Sequence, residues 1–215
     1  MTLKIIIADD HKIVREGLKT LLEKQSGIKV VAETSDGLAV VKLAQEHLPD
    51  LVIMDITMPG LNGIGATRRV KEICPAAKIM ILSMHADRRY VMEALKAGAM
   101  GYLLKDSAFE ELIQAIKSIV KGKIYLSSDI TDVLVRDYLI NERDADPSVY
   151  SLLSAREREV LQLLAEGKST RQTADKLSIS VKTVETHRQQ LMQKLNLRGI
   201  AELTKYAVRE GLTTL

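Results

Sequence analysis

Hydrophobic residues in the first 121 positions follow two alternating patterns. Short unbroken apolar runs recur at Lys4–Ala8, Val30–Thr34, Leu51–Asp55, Lys78–Ser83 and Gly101–Leu104. Between them, apolar positions repeat with the spacing of a helix face, as in Ile13, Val14, Gly17, Leu18, Leu21 and Leu22, or Leu112, Ile113, Ile116, Ile119 and Val120. Runs of the first kind predict strands buried on both faces, and the second pattern predicts amphipathic helices. Five strands alternating with helices predict an α/β domain, a doubly wound five-stranded parallel sheet covered on both sides.

From Leu153 onward the pattern is helical throughout. Ser154 with Glu157 three residues later is a capping box, Gly167 stops the helix, and Val160, Leu161, Leu164 and Ala165 form its buried stripe. Next come Ser169–Leu177 with Thr173, Ala174 and Leu177 inward, the connector Ser178-Ile179-Ser180, and Val181–Leu195 burying Val184, Leu191, Met192 and Leu195. A fourth helix spans Ile200–Gly211. Two short helices around a tight connector, the second carrying Lys182, Arg188 and Lys194 on a polar face, fit an all-α helix-turn-helix domain. Periodicity alone fits a plain helical bundle equally well. Between the halves, Ser127 or Ser128 can cap a short helix containing Ile130, Val133 and Leu134, and the polar stretch with Pro147 predicts a tether over 141–150. The expected domains are therefore 1–121, a linker helix and tether at 122–151, and 152–215.

Composition adds limits. A chain of 215 residues, 46% apolar, accommodates two ordinary cores. It has no apolar run long enough to span a bilayer, and acids stand where a signal peptide would be cleaved, which predicts a cytoplasmic protein without a membrane partner. The single Cys74 rules out an intramolecular disulfide and reads as a small buried hydrophobe. Residues 151–215 hold 11 Lys and Arg against 7 Asp and Glu, so the basic surplus lies in the helical part. That asymmetry points weakly to a polyanionic partner.

Doubly wound sheets bind ligands beyond the carboxyl ends of their strands. Here the first strand ends in Asp9-Asp10, the third in Asp55, the fourth in Ser83, and the fifth is followed by Lys105. Singly, each residue has an ordinary explanation as a cap or a solvated charge. Jointly, three crowded carboxylates repel and call for a cation, and hard oxygen donors suit Mg²⁺. A carboxylate beside Mg²⁺, an ammonium and a hydroxyl is a good phosphoryl acceptor, which singles out Asp55. The neighbouring Pro59-Gly60 suits a type II turn over the site.

The stretches IIIADDHKIVREGL, LVIMDITMPGLNG, ILSMHAD and AGAMGYLLKD, in that order, resemble the receiver domains of two-component response regulators, which have a flavodoxin-like fold. That resemblance implies Asp55 as phosphoacceptor, with Asp10 a direct Mg²⁺ ligand, Asp9 acting mainly through water, and Asp55 and the Thr57 carbonyl completing the set. It implies that Ser83 and Lys105 bind phosphoryl oxygens and that Tyr102 is the aromatic that turns inward on activation. Thr57 and His85 occupy flanking positions that tune dephosphorylation in such domains. Asp106 stands where many receivers have proline.

Residues 152–212 resemble LuxR-type DNA-binding domains, and the whole chain resembles the NarL/FixJ class of response regulators. The scaffold helix departs from the usual pattern, since Thr173 replaces a core aliphatic. The resemblance implies double-stranded DNA with two half-sites, a homodimer and a sensor histidine kinase as partners. Lys182, Thr183 and Lys194 are then expected on phosphates, and Glu185, Thr186, Arg188 and Gln189 are the candidate base readers. His187 is equally suited to packing against the scaffold helix. A competing enzyme reading, an aspartyl-nucleophile phosphatase, is weakened because position 57 is Thr and not the second acid such chemistry needs. A constitutive DNA-binding protein with an inert receiver is opposed by the complete set Asp9, Asp10, Asp55, Ser83 and Lys105.

Overall fold

The computed structural model describes residues 2–107, 109–140 and 152–213. They form two compact units. The first contains β1 (Leu3–Ala8), α1 (Lys12–Glu23), β2 (Ile28–Thr34), α2 (Gly37–His47), β3 (Leu51–Met54), α3 (Gly63–Ile73), β4 (Lys78–Ser83), α4 (Arg88–Lys96), β5 (Gly101–Leu104), α5 (Phe109–Val120), β6 (Tyr125–Leu126) and α6 (Ser128–Ile140).

All strand pairs are parallel, in the order β2-β1-β3-β4-β5-β6. The sheet thus has six strands where five were predicted. The extra strand is two residues long, with Tyr125 opposite Gly101 and Leu126 opposite Tyr102, and a run that short carries no readable period. It ties the start of the expected linker to the first unit, and α6 packs on α4 and β5 with Ile130 fully buried. Ser127 stands at the cap position of α6, its carbonyl accepting from the Thr131 amide, but its buried hydroxyl has no hydrogen-bond partner. The tether expected at 141–150 lies outside the described residues.

Strand alternation sends Ile5, Ile7, Leu51, Ile53, Met80, Leu82 and Leu103 to one face, where Leu22 of α1 and Leu112, Ile116 and Ile119 of α5 complete the core. The opposite face is covered by α2, α3 and α4, which bury Val40, Ala44, Ile64, Val70, Val91 and Ala94. Both faces are apolar, which explains the unbroken strand runs. The phase of α1 differs from the prediction. Its inward line runs through Val14, Leu18 and Leu22 at four-residue steps, which leaves Ile13 86% exposed at the margin. Cys74 is buried as expected.

The second unit comprises α7 (Ala155–Ala165), α8 (Thr170–Leu177), α9 (Val181–Leu195) and α10 (Ile200–Arg209). Two capping boxes start α7 and α8: Ser154 with Glu157, and Ser169 with Gln172. Gly167 has φ +76 after α7, a left-handed conformation that glycine adopts without a Cβ penalty. Val160, Leu161, Leu164, Ala174, Leu177, Val184, Leu191, Leu203 and Ala207 meet in one core. Arg156 closes α8 from α7, donating to the Leu177 carbonyl at 2.7 Å.

Thr173 is fully buried and its hydroxyl has no hydrogen-bond partner. An unpaired buried hydroxyl has lost water without replacement. Thr173→Val removes that oxygen at constant shape, and is expected to stabilise the second unit by about 1 kcal/mol in chemical denaturation; a destabilised variant would contradict the unpaired state.

Glu157 is buried, and burial alone would raise its carboxyl. The Lys194 ammonium at 2.8 Å and the Ser154 capping bonds outweigh this and hold it below its ordinary 4.5. A depressed folded value contributes stability above the unfolded value and loses it as pH falls through the folded one. The advantage of wild type over Glu157→Gln, on the order of 1 kcal/mol because Lys194 is half exposed, should be flat above about pH 4.5 and shrink below it in thermal melts.

Candidate functional site

The carboxyl edge of the sheet is extended one residue past β1, β3 and β5 by backbone bonds. The Asp9 amide donates to Thr34, the Asp55 amide to Ala8 at 2.7 Å, and the Lys105 amide to Ser83 at 2.9 Å. These bonds fix where the three side chains start. Lys105 Nζ then bridges Asp9 Oδ2 and Asp55 Oδ2, each at 2.8 Å, in a pocket where all three side chains are almost fully buried. The other Asp55 oxygen accepts from the Ile56 amide at 2.7 Å. Arg15 reaches back from α1 to the Asp9 carbonyl at 2.6 Å and steadies that loop.

One ammonium shared by two carboxylates does not compensate both. Burial pushes the Asp55 carboxyl up to about 6, against the pull of Lys105, and the Asp9 charge adds to the rise. Burial would lower Lys105, yet Asp55 and Asp9 hold it above its ordinary value. Asp10 is partly exposed beside the pair, and Asp9, Asp10, His11 and Asp55 each offer a donor atom within 4.8 Å of the others. Three carboxylates against one ammonium is a donor set that fits a hard divalent cation.

Gly63 matters here for a reason its position at a helix start does not reveal. A Cβ on it would lie 1.9 Å from the Asp55 carbonyl oxygen, so only glycine lets α3 begin against the backbone of the loop after β3. The Gly63 amide donates to the Ile56 carbonyl at 2.8 Å. The Pro59-Gly60 turn is tighter than the predicted type II turn. The Leu61 amide donates to the Pro59 carbonyl across Gly60 at φ +78, a three-residue γ-turn.

Ser83, Tyr102 and Thr57 all converge on His85. The Ser83 hydroxyl accepts from the His85 amide at 3.2 Å, and the Tyr102 hydroxyl donates to the His85 carbonyl at 2.6 Å. Thr57 Oγ1 lies 3.2 Å from His85 Nε2, and the imidazole stacks on Tyr90 with centroids 4.7 Å apart. Burial lowers the His85 imidazole, with Asp87 opposing and Lys105 reinforcing the shift. Tyr102 is fully buried, so its ring is already turned inward. The role of His85 as a hub rests on its main chain, which no residue type announces.

In the second unit, α9 buries Val184 and Leu191 and turns Lys182, Glu185, Thr186, Gln189, Gln190 and Gln193 to the outside. Arg188 is half-buried beside that face, and His187 is partly buried with Nδ1 lacking a hydrogen-bond partner. The connector turns at Ser178, φ +54, and Ser180 caps α9 by accepting from the Thr183 amide at 3.0 Å. Two of the expected phosphate contacts already have partners. The Thr183 hydroxyl lies 2.8 Å from Ser180 Oγ, and Lys194 is paired with Glu157. Thr186 donates to the Lys182 carbonyl within its own helix. Lys182, Glu185 and Gln189 project from the exposed face with the chemistry of phosphate and base-edge contacts.

Residues 5–117 match the model of the response regulator receiver domain, and residues 151–207 match that of the bacterial regulatory proteins of the luxR family. The chain is 40% identical over 215 residues to the oxygen regulatory protein NreC of Staphylococcus epidermidis, spanning 98% of this chain and 99% of that one. Among solved structures, a LuxR-family two-component response regulator from Aurantimonas sp. superposes with TM-score 0.62 at 41% identity, covering 65% of this chain and 99% of its own. The response regulator RcsB in complex with DNA gives 0.61 at 29% identity over 97% of this chain and 98% of its own. No helix among the described residues is long and apolar enough to cross a membrane. Receiver and helix-turn-helix together make this chain a member of the NarL/FixJ class of DNA-binding two-component response regulators, a family of transcription regulators and not of enzymes.

Proposed function

We propose that residues 1–121 accept a phosphoryl group on Asp55 from a sensor histidine kinase, that 122–151 transmit the change, and that 152–215 read double-stranded DNA as a homodimer on two half-sites. The observation that carries this reading is the buried Lys105 bridge between Asp9 and Asp55. An Asp55 carboxylate oxygen attacks the phosphorus of the kinase's phosphohistidine; the P–O bond forms, the P–N bond breaks, and the imidazole leaves. Lys105 neutralises a transferring oxygen. Asp10, Asp55 and the Thr57 carbonyl would hold Mg²⁺, with Asp9 reaching it through water, and the ion supplies further positive charge at the phosphoryl oxygens.

The switch follows from the contacts of Ser83. Its hydroxyl is engaged with the His85 amide, so rotation toward a phosphoryl oxygen releases that amide while Tyr102 still holds the carbonyl. The loop after β4 then has two arrangements, and phosphate biases one of them. In the DNA-bound form Lys182, Thr183 and Lys194 position the helix on phosphates, with Lys194 sharing its charge with Glu157. Glu185, Thr186, Arg188 and Gln189 supply base contacts.

Asp55→Asn is expected to abolish labelling of the full chain by radiolabelled acetyl phosphate with Mg²⁺; undiminished label would remove Asp55 from this role. On an operator selected from random DNA, Gln189→Ala or Arg188→Ala should cost about 1–3 kcal/mol and relax specificity. Lys182→Ala should weaken all sequences alike and reduce the salt slope by about one. Equal losses on cognate and random DNA for the first two variants would count against their reading bases.

A further inference from the structure

The amino edge of the sheet takes no part in the chemistry proposed for Asp55, yet it holds a cavity of about 600 Å³. The cavity opens between the start of β1, the turn joining α1 to β2 and the C-terminal half of α5. A second lobe of about 340 Å³ adjoins it, with Leu3, Asp50 and Val120 lining both, and runs towards Leu48 and Cys74. Small-molecule sites commonly span about 300–1,000 Å³ and are largely apolar. Here Leu3, Ile28 and Ile113 are only partly covered where they pack on the core, and Val120 and Leu48 are 39% and 61% exposed along the groove. Gly27 turns the chain at φ +83, and a Cβ there would meet nothing within 4 Å, so the turn leaves that side open.

The charged groups around this apolar strip are unevenly matched. The Asp50 carboxylate accepts from the Lys4 amide at 2.7 Å, and Lys4 Nζ is taken up by the His47 carbonyl at 2.9 Å. The carbonyl end of α5 would disfavour an anion, but Lys78 Nζ already donates to the Val120 carbonyl there. Lys117 and Lys121 stand four residues apart at the same end, exposed, and their ammonium groups have no partner among the described residues. We infer that this groove binds a free long-chain carboxylate, its head between Lys117 and Lys121 and its tail along Leu3 and Val120 into the second lobe. None of the described residues lining either lobe is aromatic, so nothing offers a ring-bearing ligand a stacking partner, whereas aliphatic walls suit a hydrocarbon chain. A recessed groove also encloses one chain, which a bilayer surface cannot supply without extracting a lipid.

The full chain is titrated with cis-parinaric acid, whose fluorescence rises when its tail is enclosed, and the bound probe is displaced by dodecanoate or by dodecan-1-ol. One saturable site is expected, and dodecanoate should shift the amide resonances of Leu3, Gly27 and Val120. Lys117→Glu combined with Lys121→Glu reverses two exposed charges. It should lower dodecanoate affinity about tenfold or more and leave that of the uncharged alcohol nearly unchanged. Unsaturable binding, resonance shifts confined to other residues, or equal effects of the double variant on acid and alcohol would overturn the inference. So would binding to phosphatidylglycerol vesicles without binding of monomeric dodecanoate, which would make this edge a membrane contact.

Discussion

A single buried ammonium holds the carboxyl edge of the sheet together. Lys105 touches Asp9 and Asp55 equally, and neither acid has a comparable cation elsewhere among its described contacts. Removing a partner from a buried charge cluster is far more damaging than the net worth of the cluster suggests, because the remaining charge is stranded. The surrounding structure serves this one arrangement. Parallel strand order brings the ends of β1 and β3 side by side, with β5 beyond β4, and each is carried one residue further by a backbone bond. Arg15 and Gly63 fix the loops from the helix side.

Much of this was legible in the residue order. Strand ends carrying Asp9, Asp55 and Lys105 are visible as soon as the apolar runs are recognised, and the rule that ligands gather at carboxyl edges brings them together. What escaped detection has a common cause. The sixth strand is defined by pairing and not by any periodic run, the tight Gly60 turn by a main-chain bond, and the need for Gly63 by the absence of an atom. Side-chain chemistry can be read along a chain, whereas close approach of backbones requires the fold. Ile13 shows a milder version, since an apolar residue at the edge of a helical face is assigned inward by spacing and outward by packing.

The helix-turn-helix unit qualifies the arithmetic of charge. Its basic surplus suggests cations waiting for a polyanion, yet Arg156 is paired with Glu159 and Lys194 with Glu157. Such pairs stabilise the scaffold, and the charge they leave for an external partner is smaller than a count implies. The outward face of α9 is correspondingly rich in uncharged hydrogen-bonding groups, which suit reading base edges better than gripping a backbone.

The hydroxyls of Ser83 and Tyr102 are tied to the amide and carbonyl of residue 85, while its imidazole faces Thr57 and Tyr90. Every amino acid except proline offers that same amide and carbonyl. The main-chain bonds and the ring are therefore separable: substitution at position 85 changes what faces Thr57 and Tyr90 and leaves in place the amide and carbonyl that Ser83 and Tyr102 engage. On the reading proposed for Asp55, the lifetime of the phosphorylated state and the response to it then become independent quantities.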